Sequence, residues 1–511
     1  MISKIKSCGL IGIDGYIVDV EVDTSNGIPA FEIVGLGDAA VKESKERVKS
    51  AIKNSGYEFF SKRLTVNLAP ANLKKEGSAF DLPIAVGILL SMGQILYEEI
   101  DDHMIVGELS LDGTVKPVKG ILPMAICAMQ SGIRNFVLPA ENADEAAVVK
   151  DVNILPVRHL KDLIEYLNKE KPIKRHVIDI DKIFSKNTKQ RFDFADVKGQ
   201  ENVKRALEVA ASGAHNVIML GSPGSGKTML AKRLPSILPA LTFKEALEVT
   251  KIYSIAGLLP PKTSLITTRP FRSPHHTISD ISLIGGGRIP KPGEVSLAHY
   301  GVLFLDELPE FSKEALEVLR QPLEDGVVSI SRVNASLVYP ADTMLVCAAN
   351  PCKCGNYMDP EKQCTCTPSQ IQKYLGRLSG PLLDRIDIHI EVRSVKYKQL
   401  EATEPTESSE KIRERVNRAR AIQLDRYKDT NIFTNSQLEP AMMNKYCKLD
   451  SKCRELLRNA FEKLGLSARA HNRILKVART IADMDESEEI KENHLAEAIQ
   501  YRSLDRKFWN V

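Results

Sequence analysis

One short string near the middle of the chain constrains the fold more than any other feature. Residues 221–228 read Gly-Ser-Pro-Gly-Ser-Gly-Lys-Thr, which matches the P-loop pattern. In this pattern backbone N–H groups turn inward around phosphate groups, and the helix that follows points its positive end at the same anions. The apolar run 216–220 supplies the preceding strand, and residues from Met229 onward supply the helix. The sequence therefore predicts an α/β domain that binds a nucleoside triphosphate.

The loop and one acidic strand predict how the phosphates and a magnesium ion are held. Lys227 is expected to reach the β- and γ-phosphates of ATP, and the Thr228 hydroxyl is expected to ligate Mg²⁺. The apolar strand 302–305 ends in Asp306 and Glu307. We expect Asp306 to hold the Mg²⁺ through water and Glu307 to activate the attacking water. The predicted cofactor-binding residues of the loop are Gly221, Ser222, Pro223, Gly224, Ser225, Gly226, Lys227 and Thr228.

Two polar residues further along the chain are candidates for the same reaction. The apolar strand 344–349 ends in Asn350, an amide placed to orient the water beside the acidic strand. Arg385 is predicted to stabilise charge that develops on the γ-phosphate in the transition state. Supplied by a neighbouring subunit, it would couple hydrolysis to ring assembly. The alternative for Arg385 is a surface ion pair with Asp384 or Asp387.

The length and charge of the chain set the domain organisation. A chain of 511 residues is expected to hold about three domains, and a net charge of +4 is too weak to indicate nucleic-acid binding by itself. We predict an α/β domain over 1–168, a polar linker over 169–190, the nucleotide domain over 191–393 and a helical domain over 394–511. No secretory leader or membrane span is predicted, which favours a cytoplasmic location.

Four of the nine cysteines form a cluster in the sequence. They follow a Cys-x-Cys, nine residues, Cys-x-Cys pattern, which suits a tetrahedral structural Zn²⁺. Unligated thiols and redox pairing are the alternatives, because this spacing is less diagnostic than Cys-x₂-Cys. The four candidate ligands are Cys352, Cys354, Cys364 and Cys366.

Two long strings identify a family. Residues 269–279 read Arg-Pro-Phe-Arg-Ser-Pro-His-His-Thr-Ile-Ser, and residues 290–299 read Pro-Lys-Pro-Gly-Glu-Val-Ser-Leu-Ala-His. Together with the acidic strand they closely resemble the YifB/ComM family of magnesium-chelatase-like AAA+ ATPases, over essentially the whole chain. The resemblance implies ATP and Mg²⁺ as cofactors and a homo-oligomeric ring, expected to be a hexamer. For ComM proteins it also implies DNA branch migration during recombination of incoming DNA.

The resemblance also implies roles for residues outside the phosphate loop. Gly199-Gln200 resembles the motif that precedes the nucleotide pocket of AAA+ proteins. Arg469 resembles the second sensor of the helical lid, with Arg473 as the alternative.

Two segments resemble elements that related motors use on DNA. The segment that contains Arg269, Arg272 and the pair His275-His276 resembles the insert that MCM and chelatase relatives place in the second helix. Residues 326–338 read as two short strands around a turn near Arg332, and they resemble the pre-sensor hairpin of MCM-type helicases. Arg332, Arg269 and Arg272 are therefore predicted DNA contacts, and phosphate contacts would make binding salt-sensitive. A plain surface hairpin is the alternative.

The first domain resembles the Lon protease fold, which belongs to the ribosomal S5 domain 2-like class. The similar strings begin at Lys75 and at Gly107. Lon enzymes use a serine and a lysine, but those positions fall on Ala79 and Leu122 here. A leucine cannot accept the proton of a serine, so we predict a non-proteolytic domain that serves assembly and DNA contact. A protease could be rescued only by Ser78 with Lys119 or Lys116.

These features combine into one hypothesis with two alternatives. The chain is predicted to be an ATPase that forms a ring on DNA and acts as a branch migration helicase in homologous recombination or natural transformation. A chelatase-type or protein-remodelling AAA+ ATPase is the first alternative, and an ATP-dependent Lon-like protease is the second.

Overall fold

The computed structural model describes residues 2–60, 62–96, 100–185, 192–287, 290–332, 335–357, 359, 362–395 and 406–504. The chain divides into two compact units. The first unit contains residues 1–186 and 243–267, and the second contains residues 187–242 and 268–511.

The chain up to residue 185 alternates strands and helices. The strands are β1 Ile2–Ile11, β2 Asp14–Ser25, β3 Ala30–Val34, β4 Arg63–Ala69, β5 His103–Ile105, β6 Glu108–Leu109, β7 Val115–Lys116, β8 Asn135–Pro139 and β9 Asn153–Val157. The helices are α1 Ala39–Asn54, α2 Asp81–Ser91, α3 Ile121–Gln130, α4 Ala143–Ala146, α5 Leu160–Leu167 and α6 Ile180–Ser185.

The first unit is built on a mixed seven-stranded sheet. The strand order is β3-β4-β2-β1-β5-β8-β9, with β1, β2 and β4 antiparallel and the remaining neighbours parallel. The apolar helix α2 is buried on nearly every face, as its sequence predicts. The turn at Asp112-Gly113 joins β6 and β7 as a hairpin, and Asp-Gly is a dipeptide that favours such turns.

The rest of the chain adds a second set of elements. The strands are β10 Val217–Leu220, β11 Phe271–Arg272, β12 Gly285–Gly286, β13 Lys291–Pro292, β14 Val302–Leu305, β15 Val327–Arg332, β16 Ala335–Pro340, β17 Met344–Ala349 and β18 Ile388–Glu391. The helices are α7 Glu201–Gly213, α8 Lys227–Ala231, α9 Phe243–Ala256, α10 Asp280–Ile284, α11 Glu294–Leu297, α12 Lys313–Val318, α13 Arg320–Asp325, α14 Pro368–Leu375, α15 Gly380–Leu383, α16 Ser409–Arg426, α17 Pro440–Tyr446, α18 Ser451–Leu464, α19 Ala468–Met484 and α20 Glu492–Gln500.

The second unit is built on a parallel five-stranded sheet in the order β11-β14-β17-β10-β18. The strand before the P-loop, β10, therefore lies between β17 and β18, and β17 separates it from the acidic strand β14. All residues of β10, β14 and β17 are buried, as the continuous apolar runs predict for a sheet covered on both faces. This strand order places the carboxyl ends of β10, β14 and β17 at one edge of the sheet. These ends lead into the P-loop, Asp306 and Asn350.

The C-terminal helices share a hydrophobic core with this sheet. Ile412 and Val416 of α16, Ile474 of α19 and Leu495 of α20 belong to the same buried cluster as Val217 of β10. These C-terminal helices belong to the second compact unit.

One helix lies elsewhere than the sequence-based boundaries place it. Residues 243–267 fall inside the predicted nucleotide domain, but they belong to the first compact unit. Two polar contacts of α9 account for this: Lys251 Nζ lies 2.8 Å from Asp14 Oδ1, and the Ser254 carbonyl accepts from the Gly120 N–H at 3.2 Å. The hydroxyl of Ser254 also donates to the buried carboxyl of Glu145. Local periodicity identifies α9 as a helix but carries no information about which sheet it covers.

Candidate nucleotide-binding site

The P-loop spans from β10 to α8 at the carboxyl edge of the five-stranded sheet. Gly226 has φ 93°, a left-handed conformation that favours glycine, and it caps the N-terminus of α8. A Cβ atom at Gly221 would overlap the carbonyl oxygen of Val392, so only glycine fits the start of the loop. The loop is therefore fixed on one side by the chain that leaves β18.

The side chain of Lys227 joins the loop to the neighbouring strand β17. Its ammonium donates to the carbonyl oxygens of Gly221 and Ser222 at 2.8 and 3.0 Å, and to Asn350 Oδ1 at 3.1 Å. Burial lowers the pKa of Lys227, although the nearby carboxylates of Asp306 and Glu307 oppose this shift. The predicted phosphate-binding lysine and the predicted sensor amide are thus in direct contact.

Thr228 and Asp306 form the second contact of the site. The hydroxyl of Thr228 donates to Asp306 Oδ2 at 2.6 Å, although 78 residues separate them in the sequence. A hydroxyl and a carboxylate side by side are hard oxygen donors of the kind that Mg²⁺ prefers. The two residues predicted to hold Mg²⁺ therefore fit that ion.

Glu307 follows Asp306 in a left-handed conformation, with φ 52°. Its side chain is 54% exposed, and its Oε2 lies 3.4 Å from Nδ1 of His276. No role for His276 follows from the sequence, because a contact across 31 residues depends on how β11 and β14 pair. The structure adds His276 as a neighbour of the candidate catalytic carboxylate.

A cavity of about 850 Å³ lies beside the loop, within the size range of ligand pockets. Its lining includes Gly199, Gln200, Arg205, Arg393 and Tyr501. Gln200 connects the cavity to the loop, because its side-chain amide donates to the Ser225 carbonyl at 3.4 Å. Gly199 and Gln200 therefore line a cavity near the P-loop, and the binding of a nucleotide there stays a prediction.

The candidate arginine finger is buried within its own chain. The Arg385 side chain is 7% exposed, and its guanidinium pairs with Glu324 and donates to the Pro381 carbonyl at 2.6 Å. The surface-pair alternative named Asp384 and Asp387, and neither is the partner found here. To reach a neighbouring subunit, Arg385 must leave Glu324, and its role there stays a prediction.

The two candidates for the second sensor differ in their surroundings. Arg469 is 61% exposed and has Asp384 as its partner at 3.5 Å. Arg473 is 21% exposed, and its guanidinium lies 3.0 Å from the fully buried carboxylate of Asp387. Although burial acts to raise it, Arg473 and His215 hold the pKa of Asp387 well below its usual range. The geometry favours Arg469 as the sensor and gives Arg473 a structural ion pair.

The predicted DNA contacts lie in three different settings. The hairpin around Arg332 is confirmed, with β15 and β16 antiparallel and Arg332 opposite Ala335 at its end. Arg272 lies on β11 and forms two contacts of 2.6 Å with Glu294. Arg269 donates to the carbonyl oxygens of residues 239, 240 and 300. Because Arg269 and Arg272 are engaged in this way, DNA binding by either would require these contacts to break.

The four clustered cysteines lie together. Their sulfur atoms are all within 4.8 Å of one another, and Cys352 is fully buried. Among the described cysteine, histidine and acidic residues, these four cysteines form a group tight enough to hold a metal ion.

In the first unit, Ser78 and Lys75 of the Lon-like strings have hydrogen-bond partners of their own. The Ser78 hydroxyl donates to Glu108, and the ammonium of Lys75 donates to the carbonyl oxygens of Pro70 and Leu73. Burial lowers the pKa of Lys75. Leu122 is fully buried at the position where a Lon enzyme has its lysine.

A parallel sheet, a P-loop, an acidic strand and a polar residue at the end of the intervening strand define a P-loop AAA+ protein. Three family models match the chain: Subunit ChlI of Mg-chelatase over residues 20–142, Magnesium chelatase, subunit ChlI over 193–400, and its C-terminal region over 406–502. The chain belongs to the magnesium-chelatase-like AAA+ family that includes ComM and YifB.

Two relatives match along almost their entire lengths. The competence protein ComM of Haemophilus influenzae is 44% identical over 501 residues, which cover 97% of this chain and 96% of that protein. The uncharacterized protein YifB of Escherichia coli is 42% identical over 507 residues, which cover 99% and 98%. The family expected from the sequence is therefore confirmed.

Across the part of the chain that the structure describes, no helix combines the length and the apolar character needed to cross a membrane.

Proposed function

We propose that this chain is an ATP-driven motor that assembles into a ring on DNA and moves branch points. The observation that carries the proposal is the single site in which Lys227 contacts Asn350 while Thr228 contacts Asp306. The near full-length similarity to a competence protein supports a role in the uptake or recombination of DNA. A cytoplasmic location is part of the proposal, since such DNA is processed there.

The residues of the site divide the work of ATP hydrolysis. Lys227 exchanges its contacts with loop carbonyls for the phosphate oxygens, which are better partners for an ammonium. Thr228 and Asp306 would hold Mg²⁺, which would supply positive charge to neutralise the phosphates. Glu307 is exposed enough to meet an incoming water and accepts its proton, while Asn350 orients that water.

The ring is proposed to complete the site. Arg385 leaves Glu324 and enters the neighbouring subunit's site, where its charge stabilises the transition state. Arg469 lies at Asp384, the residue next to Arg385, so the exposed Arg469 and the buried Arg385 belong to the same part of the second unit. A hexamer is the proposed assembly.

DNA contact is proposed for the hairpin end that carries Arg332, with weaker candidates at Arg269 and Arg272. Backbone phosphates would be the partners, so binding would be sequence-independent and would weaken with salt. The first unit, proposed to be a Lon-like domain without protease activity, would serve assembly and DNA contact. A structural Zn²⁺ is proposed at the four clustered cysteines.

A chelatase-type or protein-remodelling activity is the second candidate, since all three matching family models are named for a magnesium chelatase subunit. ATP turnover measured with single-stranded, duplex and branched DNA separates the two. The motor predicts stimulation by DNA, with the largest rate on branched DNA. Turnover that ignores every DNA but rises with a porphyrin or a protein substrate would favour the second candidate.

Proteolysis is the least supported alternative, and one experiment decides it. Wild type and Ser78→Ala are incubated with casein and ATP, and fragments are followed on a gel. We expect no fragments from either. Cleavage by wild type that disappears in the variant would overturn the assignment of the first unit.

A further inference from the structure

The four clustered cysteines lie close to three parts of the ATP site. Cys352 follows Asn350 by two residues, so the cluster begins where the sensor strand β17 ends. The cluster ends at Cys366, one residue before Thr367, which caps the N-terminus of α14 with a capping box. The described residues between these ends, 352–357, 359 and 362–366, are called the cysteine loop below.

The sulfur positions fit one tetrahedral metal ion. Cys364 Sγ lies 3.8 Å from Cys352 Sγ and 3.6 Å from Cys354 Sγ, and the latter two atoms are 3.3 Å apart. Zinc–sulfur bonds of about 2.3 Å in a tetrahedron place the sulfur atoms about 3.8 Å apart. Cys366 completes a group whose members all lie within 4.8 Å.

The cysteine loop also packs against the phosphate-binding loop. Gly355 has φ 81°, and a Cβ atom there would overlap the ring carbons of Pro223. The backbone of the cysteine loop therefore touches the second turn of the P-loop directly, and a side chain at position 355 would push the two apart. The turn is fixed by a hydrogen bond from the Gly355 N–H to the Cys352 carbonyl at 3.0 Å.

A third contact reaches the acidic strand. Arg377 lies just after α14, and it donates to the Pro309 carbonyl at 3.1 Å and pairs with Glu310 at 3.2 Å. Pro309 and Glu310 belong to the short turn that follows Glu307. The segment that begins with the cysteine loop thus touches the phosphate loop, the sensor strand and the chain after the catalytic carboxylate.

We propose that the cysteine loop binds one zinc ion and acts as a metal-held clamp that keeps Pro223 of the P-loop and Asn350 in register for nucleotide binding. The metal is structural, because four thiolates fill the coordination shell and leave no position for water or substrate. The clamp rests on the nucleotide site proposed above but not on DNA, so its test needs only metal and nucleotide.

The first measurement is metal content. The full chain is purified without an affinity tag that binds metal, and zinc and iron are determined by elemental mass spectrometry. We expect about one zinc per chain in wild type and in Cys447→Ala, a buried cysteine outside the cluster, and loss of the zinc in Cys364→Ser. Wild type that holds no zinc, or iron in its place, overturns the metal assignment, as does a disulfide within the cluster.

The second measurement separates the clamp from the metal. Gly355→Ala keeps all four thiols but places a methyl group against Pro223, and we expect zinc to stay while the Kd for a fluorescent ADP analogue rises about tenfold. The matched control is Gly132→Ala, since Gly132 has φ 70° and a Cβ atom added there meets no described atom within 4 Å. The control carries the same backbone strain in open space and should keep wild-type affinity.

The outcomes remain distinct even if Cys364→Ser does not fold. If Gly355→Ala binds nucleotide as tightly as Gly132→Ala and wild type, the clamp is refuted although zinc is present. If wild type binds nucleotide and zinc but is not stimulated by DNA, the proposed motor fails while the clamp stands.

Discussion

Arg469 and Arg473 lie one helical turn apart on α19. The structure predicts that loss of Arg473 lowers the stability of the fold, whereas loss of Arg469 lowers ATP turnover. Arg473→Ala removes the closest cation from Asp387, a carboxylate that is only 1% exposed. Two unit charges about 4 Å apart interact by about 4 kcal/mol at an effective dielectric constant near 20. His215 remains 3.2 Å from Asp387, and water can enter the space that the partly exposed Arg473 leaves. We therefore expect a loss of about 2–4 kcal/mol of unfolding free energy.

The assay is thermal and urea unfolding followed by circular dichroism at pH 7.5. The expected loss corresponds to a Tm lower by about 4–10 °C for a domain of this size. Because the folded-state pKa of Asp387 is depressed, its ion pairs contribute stability above the unfolded pKa of about 4, and this contribution disappears as pH falls below it. The difference between variant and wild type should therefore shrink toward pH 3.

Arg469→Ala is the matched control, since Arg469 is 61% exposed and its partner Asp384 lies at the surface end of the same region. Its unfolding free energy should stay within about 0.5 kcal/mol of wild type, while its ATP turnover falls. The reasoning is refuted if Arg473→Ala melts with wild type, or if Arg469→Ala is destabilised equally.

Three further outcomes follow from contacts in the two units. Glu307→Gln should lower ATP turnover, measured by rapid-quench kinetics, by about 100-fold or more with little change in the Kd for nucleotide. A normal rate would exclude Glu307 as the base. His276→Ala should lower ATP turnover by about 3- to 10-fold at unchanged nucleotide affinity, because the Glu307 carboxylate loses a neighbour that can orient it. His276→Asn should recover part of the rate. Equal rates in wild type and both variants would remove His276 from the mechanism. In the first unit, burial raises the pKa of Asp81 to about 6 against the opposing effect of Arg47. Since this folded-state pKa lies above the unfolded value, the free energy of unfolding falls as pH rises through about 6. In urea unfolding, Arg47→Ala should therefore cost about 1–3 kcal/mol more at pH 8 than at pH 5. A loss of unfolding free energy that is independent of pH would contradict this.

The sequence was sufficient for features whose signal is local. The P-loop and the acidic strand combine a fixed spacing with a continuous apolar run, so their elements and their place at one sheet edge follow directly. The hairpin around Arg332 follows from two short strands and a turn, and the register confirms it.

Contacts between distant segments could not be predicted in this way. The pairing of Arg385 with Glu324, the docking of α9 on the first unit and the packing of Gly355 on Pro223 each depend on strand order and helix packing. Apolar periodicity is the same whichever neighbour a face finds, so it leaves such partners undetermined.

The same limit explains the arginines of the predicted DNA-binding set. An arginine within a family-like sequence string looks the same in the sequence whether its side chain faces solvent or binds a carboxylate. Only the tertiary structure places Glu294 opposite Arg272, and backbone carbonyls around Arg269. Arg332 lies at the end of the β15–β16 hairpin, and it becomes the first residue to test.

The central claim is that ATP hydrolysis at Lys227 drives movement of branched DNA. A mobile four-way junction with a labelled strand is incubated with Mg²⁺ and ATP, using wild type, Lys227→Ala, Arg332→Ala and, as a control, Arg458→Ala, an exposed arginine of α18. The account predicts that wild type and Arg458→Ala resolve the junction with hydrolysable ATP, that Lys227→Ala does not, and that Arg332→Ala hydrolyses ATP without resolving it. A wild-type protein that hydrolyses ATP yet neither binds nor resolves the junction would contradict the account.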